Sequence, residues 1–556
     1  MTNTQNILLQ IANGPSITIP KGTTLQDISK NHETSHPILV AKVNNKLQDL
    51  SKPLLEDSTI EFLDIRSSYG FKTYQRSVIF LMVAAAKEVL GKKTRILVEH
   101  SISKNIYCEI GEEENINLTP SLLLDIEEKM HQLANRQIPI EKISLTLEEA
   151  VILFNEFGLH DKIKNLNFRR TSNVSIYKMD WFYNYFYGEL VPNTSYLKLF
   201  ALQKQGQGFI LQFEDPNNPE NLREVTYLKK MTQVFLETSK WGKILNVDTV
   251  GSLNEKITKE GAGNIIKINE ALHEKKIAAI ADQIFEGKKN IIFIAGPTSS
   301  GKTTFAHRLG VQLKVHGLFP HVISLDNYYM DKDKIPKDAF GEPDLESIRA
   351  LDVKCINEDL NNLANGKEVD IPKYDFIAGK KNYKGNFFKL EKSGVLVVEG
   401  IHGLNDAIGV GVEESNKFRI FISAITQLNI DDHNRIPTSD TRLIRRIVRD
   451  AAYRGLTADE NLSMWPSVQR GESKYIFPYQ EKADAIFNSA LVYEISILKQ
   501  YVEPLLFNID KHHPVYVEAR RLIKFLDSFL GVSGEGVPQN SILREFIGGS
   551  SINIHH

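Results

Sequence analysis

Residues 296–303 read Gly-Pro-Thr-Ser-Ser-Gly-Lys-Thr, which matches the pattern G-x-x-x-x-G-K-[ST] in full. The apolar run Ile-Ile-Phe-Ile-Ala at 291–295 is typical of a buried strand, and residues 302–316 favour a helix that Gly317 ends. Glycines let backbone amides approach phosphate oxygens, and a helix N-terminus favours negative charge. The stretch therefore predicts a phosphate-binding loop. A chance glycine-rich turn is the alternative, which the flanking strand and helix disfavour.

The chemistry of such a loop gives roles to its last residues. Lys302 is expected to reach the β- and γ-phosphates of a nucleotide, and the Thr303 hydroxyl is expected to bind Mg²⁺. ATP and Mg²⁺ are therefore the predicted cofactors. The predicted nucleotide-binding residues here are Gly296, Pro297, Thr298, Ser299, Ser300, Gly301, Lys302, Thr303 and Thr304.

Downstream of the loop, short apolar strands alternate with helices, a pattern that favours a parallel sheet buried on both faces. The predicted strands are 291–295, 322–325, 395–398 and 418–422. Asp326 and Glu399 directly follow two of them, at the edge where ligands gather in such sheets. Asp326 is a candidate base for an attacking hydroxyl or a capping residue, and position alone does not decide. Glu399 is a candidate to orient Mg²⁺, with a structural turn carboxylate as the alternative.

Four arginines follow one another at helical spacing. Arg442, Arg445, Arg446 and Arg449 stand at i, i+3, i+4 and i+7, which places them on one helix face. Such a stripe is usually a solvated surface. Beside a phosphate loop it is a candidate to stabilise charge on a transferred phosphoryl group.

Length and composition exclude several classes of protein. The 556 residues, 42% apolar and 24% charged, are typical of a soluble chain of three or four domains. A net charge of -2 gives no support to an extended nucleic-acid surface. Cys108 and Cys355 lack the spacing of a disulfide framework or zinc site. The start lacks signal-peptide features and the apolar run 78–86 is too short to span a bilayer, so we expect a cytoplasmic protein without membrane partners.

The chain divides into five segments by pattern. Helices are predicted at 74–90 and 122–135, a capping box at Thr24, and a turn-rich loop at 214–222. The predicted segments are a β-grasp module at 1–65, an α+β region at 66–245, a linker or hinge at 246–275, the α/β phosphate-loop domain at 276–530 and a poorly defined Gly- and Ser-rich tail at 531–556.

Several motifs of the α/β region occur together in a known order: GPTSSGKTTFA, SLDNYY, EVDIPKYDF, VVEGIHGL, and DTRLIRRIVRD followed by YRG. On these motifs, residues 276–500 resemble the uridine kinase and phosphoribulokinase family of P-loop kinases. The resemblance implies a parallel α/β fold and transfer of the γ-phosphate of ATP to an alcohol, with the 5′-hydroxyl of a nucleoside as the expected acceptor.

The resemblance also implies a role for each matching residue. Asp326 matches the carboxylate that activates the substrate hydroxyl, and Tyr374 matches an aromatic residue beside the nucleoside. Thr303 and Glu399 match the Mg²⁺ shell. The matching arginines, which are expected to reach phosphates from a mobile lid at 441–454, are Arg445, Arg449 and Arg454.

The acceptor side departs from the family pattern. The family carries Phe-Asp-His-Pro, where this chain has Phe340-Gly341-Glu342-Pro343, so the ribose-binding aspartate is replaced by Gly341 and Glu342 is a candidate substitute. The base-reading histidine of the family corresponds to Gly379. The acceptor is therefore open between a nucleoside and another hydroxylated metabolite, such as a sugar phosphate or pantothenate.

Residues 1–245 resemble the N-terminal half of threonyl-tRNA synthetases, first the TGS domain and then the editing domain, through EKMHQLANRQ and LVPNTSYLK. That editing domain uses HxxxH and CxxxH motifs, which correspond here to Arg76, Phe80, Phe186 and Leu190. An arginine and three apolar side chains offer neither a metal site nor acid–base hydrolysis, so we predict that the module does not edit tRNA.

The combination of both halves is similar to bacterial nucleoside kinases that carry an N-terminal TGS domain. A scaffold or regulatory role for residues 1–245 is favoured over retained RNA binding. An ATP-dependent RNA- or ribosome-binding regulatory protein is the remaining alternative for the whole chain. The sequence leaves the oligomeric state open.

Overall fold

A computed structural model describes residues 5–552 apart from positions 13, 33, 339, 340, 342, 376, 377 and 427. The predicted substrate residue Glu342 lies outside the described residues. In the described part of the chain, no helix combines the length and apolar character needed to cross a bilayer.

The first unit is a five-stranded sheet with one short helix. Its elements are β1 (Asn6–Ile11), β2 (Ser16–Pro20), α1 (Leu25–Ser29), β3 (Ile38–Val43), β4 (Lys46–Gln48) and β5 (Ser58–Asp64). The strand order is β2-β1-β5-β3-β4, with β1 and β5 parallel. Thr24 caps α1 through its side-chain oxygen, which accepts from the Asp27 amide at 3.1 Å. The predicted β-grasp order of strands and helix is confirmed.

The second unit places two antiparallel sheets around long helices. Its elements are α2 (Ser68–Leu90), β6 (Ile96–Ile102), β7 (Asn105–Ile110), α3 (Pro120–Asn135), β8 (Glu141–Thr146), α4 (Leu147–Glu156), α5 (His160–Leu166), β9 (Asn173–Met179), β10 (Phe182–Asn184), β11 (Phe200–Gln205), β12 (Gly208–Asp215) and β13 (Asn218–Leu222). The sheets run β11-β12-β7-β6 and β10-β9-β8. The apolar run 78–86 of α2 is buried throughout, which explains its length and composition. A loop over 214–222 is wrong in part, because β13 turns back and pairs with β12.

The prediction of a hinge over 246–275 is wrong. Helix α6 (Lys229–Leu245) precedes this region, and two helices cover most of it: α7 (Val250–Glu260) and α8 (Gly263–Glu286). Val250 and Leu253 are fully buried in the same core as the strand before the phosphate loop. Gly251 permits close packing rather than flexibility, since a Cβ there would lie 2.9 Å from the amide nitrogen of Asn165 on α5.

The C-terminal half is built on a parallel sheet. Its elements are β14 (Ile291–Ala295), α9 (Lys302–Val315), β15 (Phe319–Ser324), α10 (Val353–Ala364), β16 (Glu368–Asp370), β17 (Lys373–Asp375), β18 (Lys380–Asn382), β19 (Phe387–Lys389), β20 (Gly394–Glu399), β21 (Lys417–Ser423), β22 (Asn429–Asp431), β23 (Asn434–Arg435), α11 (Thr438–Tyr453), α12 (Ala458–Tyr475), β24 (Ala485–Asn488), α13 (Glu494–Phe507), α14 (Tyr516–Leu526) and α15 (Arg544–Ile547).

The main sheet has the order β15-β20-β14-β21-β24, and every neighbouring pair is parallel. Side chains of β14 alternate between two cores: Ile292 and Ile294 face α8, α9 and α11, whereas Ile291 and Phe293 face α10. The predicted α/β architecture and its four strands are confirmed, and β24 is an additional strand. The phosphate loop follows the central strand.

A short hairpin joins the second unit to the C-terminal half. Strands β22 and β23 form a separate two-stranded sheet and contact α5 and β6 of the second unit. Asp431 forms an ion pair of 2.5 Å with Lys162, and both side chains are at most 2% exposed. Asp432 accepts two bonds, of 2.7 and 2.8 Å, from Arg95. Helix α11 begins three residues after this hairpin, so the hairpin links the second unit to the phosphate-loop region.

The segment predicted as a poorly defined tail folds back onto the core as far as it is described. Ile542, Leu543 and Phe546 are fully buried in the core around α9 and α11. The prediction is therefore wrong for residues 531–552, because a few apolar side chains among the glycines and serines anchor the segment.

Candidate active site

The phosphate-binding loop has the backbone that its glycines permit. Gly301 has a φ of +84° and Ser299 a φ of +57°, so the loop curls before α9 begins. A Cβ at Gly296 would lie 2.1 Å from the carbonyl oxygen of Ile422, which only glycine avoids. The Ser299 and Ser300 hydroxyls are buried without a partner in the described part of the chain, and Lys302 Nζ donates to the Pro297 carbonyl at 3.3 Å. The loop thus offers unused hydroxyls, an ammonium group and the first-turn amides of α9 to an anion.

The strand register brings the predicted carboxylates to this loop. Glu399 pairs with Ile294 of β14 on one side and with Ser324 of β15 on the other. Gly296 and Asp326 each follow two residues after these partners, so loop and carboxylates share the carboxyl edge of the sheet. Asp326 is the second residue of a 3-10 turn (Leu325–Tyr328), and its amide donates to the Ser324 hydroxyl at 3.3 Å. The structure therefore places Lys302, Asp326 and Glu399 together, as the strand pattern predicts.

The charges at this edge interact. Burial raises the pKa of Glu399 to about 7, the negative charge of Asp326 adds to the rise, and Lys302 opposes it. Glu399 is 5% exposed. A carboxylate with this pKa is poised to lose its proton when a cation arrives, which suits an oxygen donor of a Mg²⁺ site.

Two arginines of α11 donate hydrogen bonds to the backbone of the phosphate-binding loop. Arg442 pairs with Glu472 at 2.5 and 2.7 Å and donates to the Thr298 carbonyl at 3.2 Å. Glu472 in turn accepts from the Thr298 amide at 3.3 Å. Arg445 is fully buried, donates to Glu494 at 2.6 Å and reaches the Ser299 carbonyl at 3.3 Å. These guanidinium groups hold the loop backbone through its carbonyls. Loss of the Arg442–Glu472 or Arg445–Glu494 ion pair is therefore expected to displace the loop.

The buried position of α11 contradicts the prediction of a mobile lid at 441–454. Helix α11 is a core element, and Leu443, Ile444 and Ile447 are fully buried. A mobile lid is wrong for this segment, because moving it would expose that apolar face. The arginine stripe looks like a solvated face in sequence because its buried carboxylate partners lie far along the chain.

The other two predicted arginines lie nearer the end of α11. Arg449 Nε donates to Asp450 at 2.8 Å, and Arg454 Nε lies 3.7 Å from the same carboxylate. Burial and the charge of Arg449 lower the pKa of Arg454, while Asp450 and Asp326 oppose that shift. Arg454 is thus within electrostatic reach of the candidate base. A phosphate role for Arg445, Arg449 or Arg454 stays a prediction.

The turn after Asp326, where the acceptor side is predicted, packs against the segment 345–352. Tyr329 donates its hydroxyl to the Leu345 carbonyl at 3.0 Å, and its ring lies 5.6 Å from that of Tyr374 on β17. Beside this aromatic pair lies Glu346, which sequence reasoning missed. Its Oε2 is buried without a hydrogen-bond partner in the described part of the chain. Burial raises its pKa to about 7, Glu472 adds to the rise, and Arg446 and Lys302 oppose it.

The departures from the family pattern have a structural basis at one position. Gly379 has a φ of +64°, its amide donates to the Asp375 carbonyl at 2.7 Å, and its carbonyl accepts from Lys332 at 2.9 Å. A Cβ there would lie 2.9 Å from the Lys332 Cβ, so this tight turn disfavours a histidine. Gly341 also has a positive φ, +84°, with open space around it.

The C-terminal segment packs against the end of the phosphate-binding loop and the start of α9. Thr304, fully buried at the start of α9, donates its hydroxyl to Glu545 Oε2 at 2.6 Å. A Cβ at Gly301 would lie 2.5 Å from Ile542 Cγ2, and the Arg445 guanidinium lies 5.1 Å from the ring centroid of Phe546. No sequence motif marks these residues. Their role is visible only from contacts between distant parts of the chain, such as that of Thr304 with Glu545, 241 residues away.

The positions that correspond to the editing motifs do lie together in the second unit. The rings of Phe80 and Phe186 are 5.8 Å apart and, with Leu190, are at most 2% exposed. Arg76 Nε donates to the carbonyl of Glu189 at 3.2 Å. The cluster is apolar apart from Arg76. Across the described ranges, no group of three or more His, Cys, Asp or Glu side chains is arranged to hold a metal ion.

The region around the phosphate-binding loop is similar to known proteins. Residues 291–496 match the profile of the Phosphoribulokinase / Uridine kinase family. The C-terminal half is therefore similar to this family of kinases over those residues. A uridine kinase from Staphylococcus aureus is 28% identical over 197 residues, which cover 35% of this chain and 86% of that protein. A solved structure described as a possible uridine kinase from Bacillus stearothermophilus aligns with a TM-score of 0.27 and 16% identity over 38% of this chain and 98% of its own.

A threonine–tRNA ligase from Syntrophotalea carbinolica is 26% identical over 164 residues, or 30% of this chain. The match spans only 26% of the length of that ligase. A similarity to threonyl-tRNA synthetases over part of the chain is thereby confirmed, alongside the similarity of residues 291–496 to the kinase family.

Proposed function

We propose that this protein is an ATP-dependent phosphotransferase that moves the γ-phosphate of ATP to an alcohol, with the 5′-hydroxyl of a nucleoside as acceptor. The observation that carries the proposal is the placement of Lys302, Asp326 and Glu399 at one edge of one parallel sheet, directly beside a phosphate-binding loop. The family match of residues 291–496 supports kinase chemistry for this edge.

In this mechanism the protein contributes mostly positioning and charge. The loop amides and Lys302 hold the ATP phosphates, while Arg442 and Arg445 keep the loop backbone in place. Asp326 accepts the proton of the acceptor hydroxyl while the oxygen of that hydroxyl forms a bond to the γ-phosphorus. The bond from that phosphorus to the bridging oxygen breaks, and ADP leaves with the bond electrons.

The donor set fits Mg²⁺, which takes oxygen ligands. The Thr303 hydroxyl and the Glu399 carboxylate would hold it. When bound, the ion neutralises charge on the β- and γ-phosphate oxygens. Because burial raises the pKa of Glu399 to about 7, its carboxyl group would have to lose any proton it carries in order to hold the ion.

On the acceptor side, Glu346 takes over hydroxyl binding from the aspartate that Gly341 replaces. Its Oε2 is buried without a partner, a costly arrangement that an acceptor hydroxyl would relieve. The Tyr329–Tyr374 pair supplies an aromatic wall for a base or another planar group, and Arg454 lies where it can meet a phosphate.

A second candidate is a kinase for another hydroxylated metabolite, such as a sugar phosphate or pantothenate. The tight turn at Gly379 favours it, since the structure leaves no place there for a base-reading histidine. Both candidates share Asp326 and the loop and differ only in what the acceptor presents beyond its hydroxyl.

Transfer of labelled phosphate from ATP to a panel of nucleosides and metabolites tests the proposal and separates the two candidates. Asp326→Asn is expected to lower turnover by about 10²–10⁴-fold, as loss of a general base does. Asp333→Asn, at an exposed position of the same loop region, is the matched control and should be unaffected. Near-normal turnover of Asp326→Asn would refute its role. ATP hydrolysis without transfer, with RNA co-purifying, would favour the RNA-binding alternative.

For the second unit we propose a scaffold or regulatory role without tRNA editing, in a cytoplasmic protein. The apolar packing of Phe80, Phe186 and Leu190 supports this, since it leaves no ligand for a metal and no acid or base in their place. Deacylation of mischarged threonine tRNA by the purified protein would contradict it.

A further inference from the structure

The end of β10 and the residues after it hold the hairpin of β22 and β23. The Tyr187 amide donates to the side-chain oxygen of Asn434 at 3.2 Å, and the side-chain nitrogen of Asn434 donates to the Tyr185 carbonyl at 2.9 Å. The Asn184 side-chain amide lies 3.0 Å from His433 Nδ1. One short stretch of the second unit therefore binds two successive residues of the hairpin.

This stretch includes a position that corresponds to the editing motifs. Phe186 lies between the two tyrosines in sequence, and its ring packs against that of Phe80 in the core of the second unit. Its neighbours Tyr185 and Tyr187 present their backbone to the hairpin instead. A segment that corresponds to a hydrolytic motif thus serves in this protein as a docking surface for the C-terminal half.

The contacts of the hairpin are shielded from water. Asn184, His433 and Asn434 are all buried. The Asn434 side-chain nitrogen also lies 2.9 and 2.8 Å from the two carboxylate oxygens of Asp431, which fixes the orientation of the amide. Because a buried polar group that loses its partner is costly, these bonds determine where the hairpin lies.

The link between the hairpin and α11 is short and stiff. Only Ile436 and Pro437 separate the end of β23 from the start of α11. Ile436 is buried in the core around α11, and the proline ring fixes its own φ. Asp440, in the first turn of α11, accepts from Arg521 of α14 at 2.7 and 2.9 Å. The hairpin and the first turns of α11 are therefore expected to move as one body.

The same helix reaches the phosphate-binding loop. Arg442 and Arg445 stand in the second turn of α11. They donate to the carbonyls of Thr298 and Ser299, at 3.2 and 3.3 Å. Hydrogen bonds and a stiff link thus connect the second unit, through Asn434, to two carbonyls of the loop.

We propose that Asn434 is a positioning residue through which the second unit holds the phosphate-binding loop in the conformation that binds ATP. The inference rests on the proposed function in one respect, that this loop binds ATP. Asn434 acts through α11, so loss of its contacts lets the hairpin shift and moves Arg442 and Arg445 relative to the loop carbonyls. The nucleotide then binds less tightly, whereas proton transfer at Asp326 is not directly affected. The second unit is thereby required for full ATP affinity.

The test measures ATP binding by the full-length protein in calorimetry, at a temperature where circular dichroism shows each variant to be folded. Asn434→Ala is expected to weaken ATP binding by about 2- to 30-fold, the range for residues that couple distant sites. The KM for ATP is expected to rise by a similar factor in steady-state kinetics, and kcat to change less. Asn508→Ala, at an exposed asparagine after α13, is the matched control and should bind ATP as the wild type does.

Asn184→Ala removes the contact with His433 from the side of the second unit and is expected to weaken ATP binding in the same direction. It decides the question if Asn434→Ala does not fold. Unchanged ATP affinity in the folded variants would overturn the proposal, since the contacts would then contribute only to stability. ATP binding by the wild type without phosphate transfer to any acceptor would refute the proposed function alone, because the affinities of the variants can still be compared. Absence of ATP binding by the wild type would overturn both.

Discussion

The buried ion pair between Lys162 and Asp431 makes a strong prediction about how the two halves hold together. Lys162→Met removes one partner of a pair whose side chains are 2% and 1% exposed. An uncompensated buried charge costs about 3–5 kcal/mol. Asp431 still accepts from the His433 amide at 3.0 Å and from Asn434, which softens the loss. We therefore expect a free energy of unfolding lower by about 3 kcal/mol, the bottom of that range.

A second variant separates the charge from the packing. In Lys162→Met/Asp431→Asn the buried charge is gone, while the asparagine oxygen can still accept from the amides of residues 433 and 434. We expect the double variant to recover at least half of the stability that the single variant loses, because the neutral amide carries a much smaller desolvation cost.

Urea unfolding followed by circular dichroism and tryptophan fluorescence measures both variants. Trp181 reports on the second unit and Trp465 on the C-terminal half, so weakened docking is expected to separate their transitions. Lys259→Met is the control, since Lys259 pairs with Glu255 on the surface, where loss costs less than about 1 kcal/mol. A change for Lys162→Met no larger than that of the control would refute the reasoning.

Three further predictions concern the loop, the C-terminal segment beside it, and the ion pair between Glu518 and Arg521 on α14. Gly301→Ala places a Cβ 2.5 Å from Ile542 at a φ of +84°, so we expect a raised KM for ATP, measured by steady-state kinetics; an unchanged KM would show that the contact relaxes freely. Phe546→Ala removes a fully buried ring and is expected to cost about 3–5 kcal/mol in urea unfolding, whereas a loss below 1 kcal/mol would mean the segment is not anchored there. Burial alone would raise the pKa of Glu518, but Arg521 lowers it to about 2, so its stabilisation is complete above about pH 4.5 and is lost as the pH falls towards 2. In Glu518→Gln the free energy of unfolding should therefore fall by about 3 kcal/mol less than in the wild type as the pH is lowered through that window. An equal fall in both proteins would contradict this.

Sequence reasoning succeeded where the signal is local. The loop at 296–303, its strand and its helix are contiguous, and parallel strands meet at one edge, so Asp326 and Glu399 could be placed from strand ends alone. The glycines of 246–275 led to the wrong prediction of a hinge, because glycine occurs where helices pack closely as well as where a chain is flexible. Only contacts in three dimensions distinguish these uses.

The supports of the site could not be predicted for a different reason. Glu472, Glu494 and Glu545 lie 174, 49 and 241 residues from the groups they contact. A glutamate in a helix has no local feature that identifies a buried arginine or threonine as its partner. Helical spacing placed Arg442 and Arg445 on one face, but which face is buried depends on those distant carboxylates.

The contact between Thr304 and Glu545 has a consequence for synthesis of the chain. The two residues are 241 positions apart, so at a translation rate of about 5–20 residues per second the ribosome makes the second roughly 12–48 s after the first. During that interval the nascent loop lacks its final wall. Catalytic competence is therefore expected to arise late in translation, after the other strands of its sheet have been made.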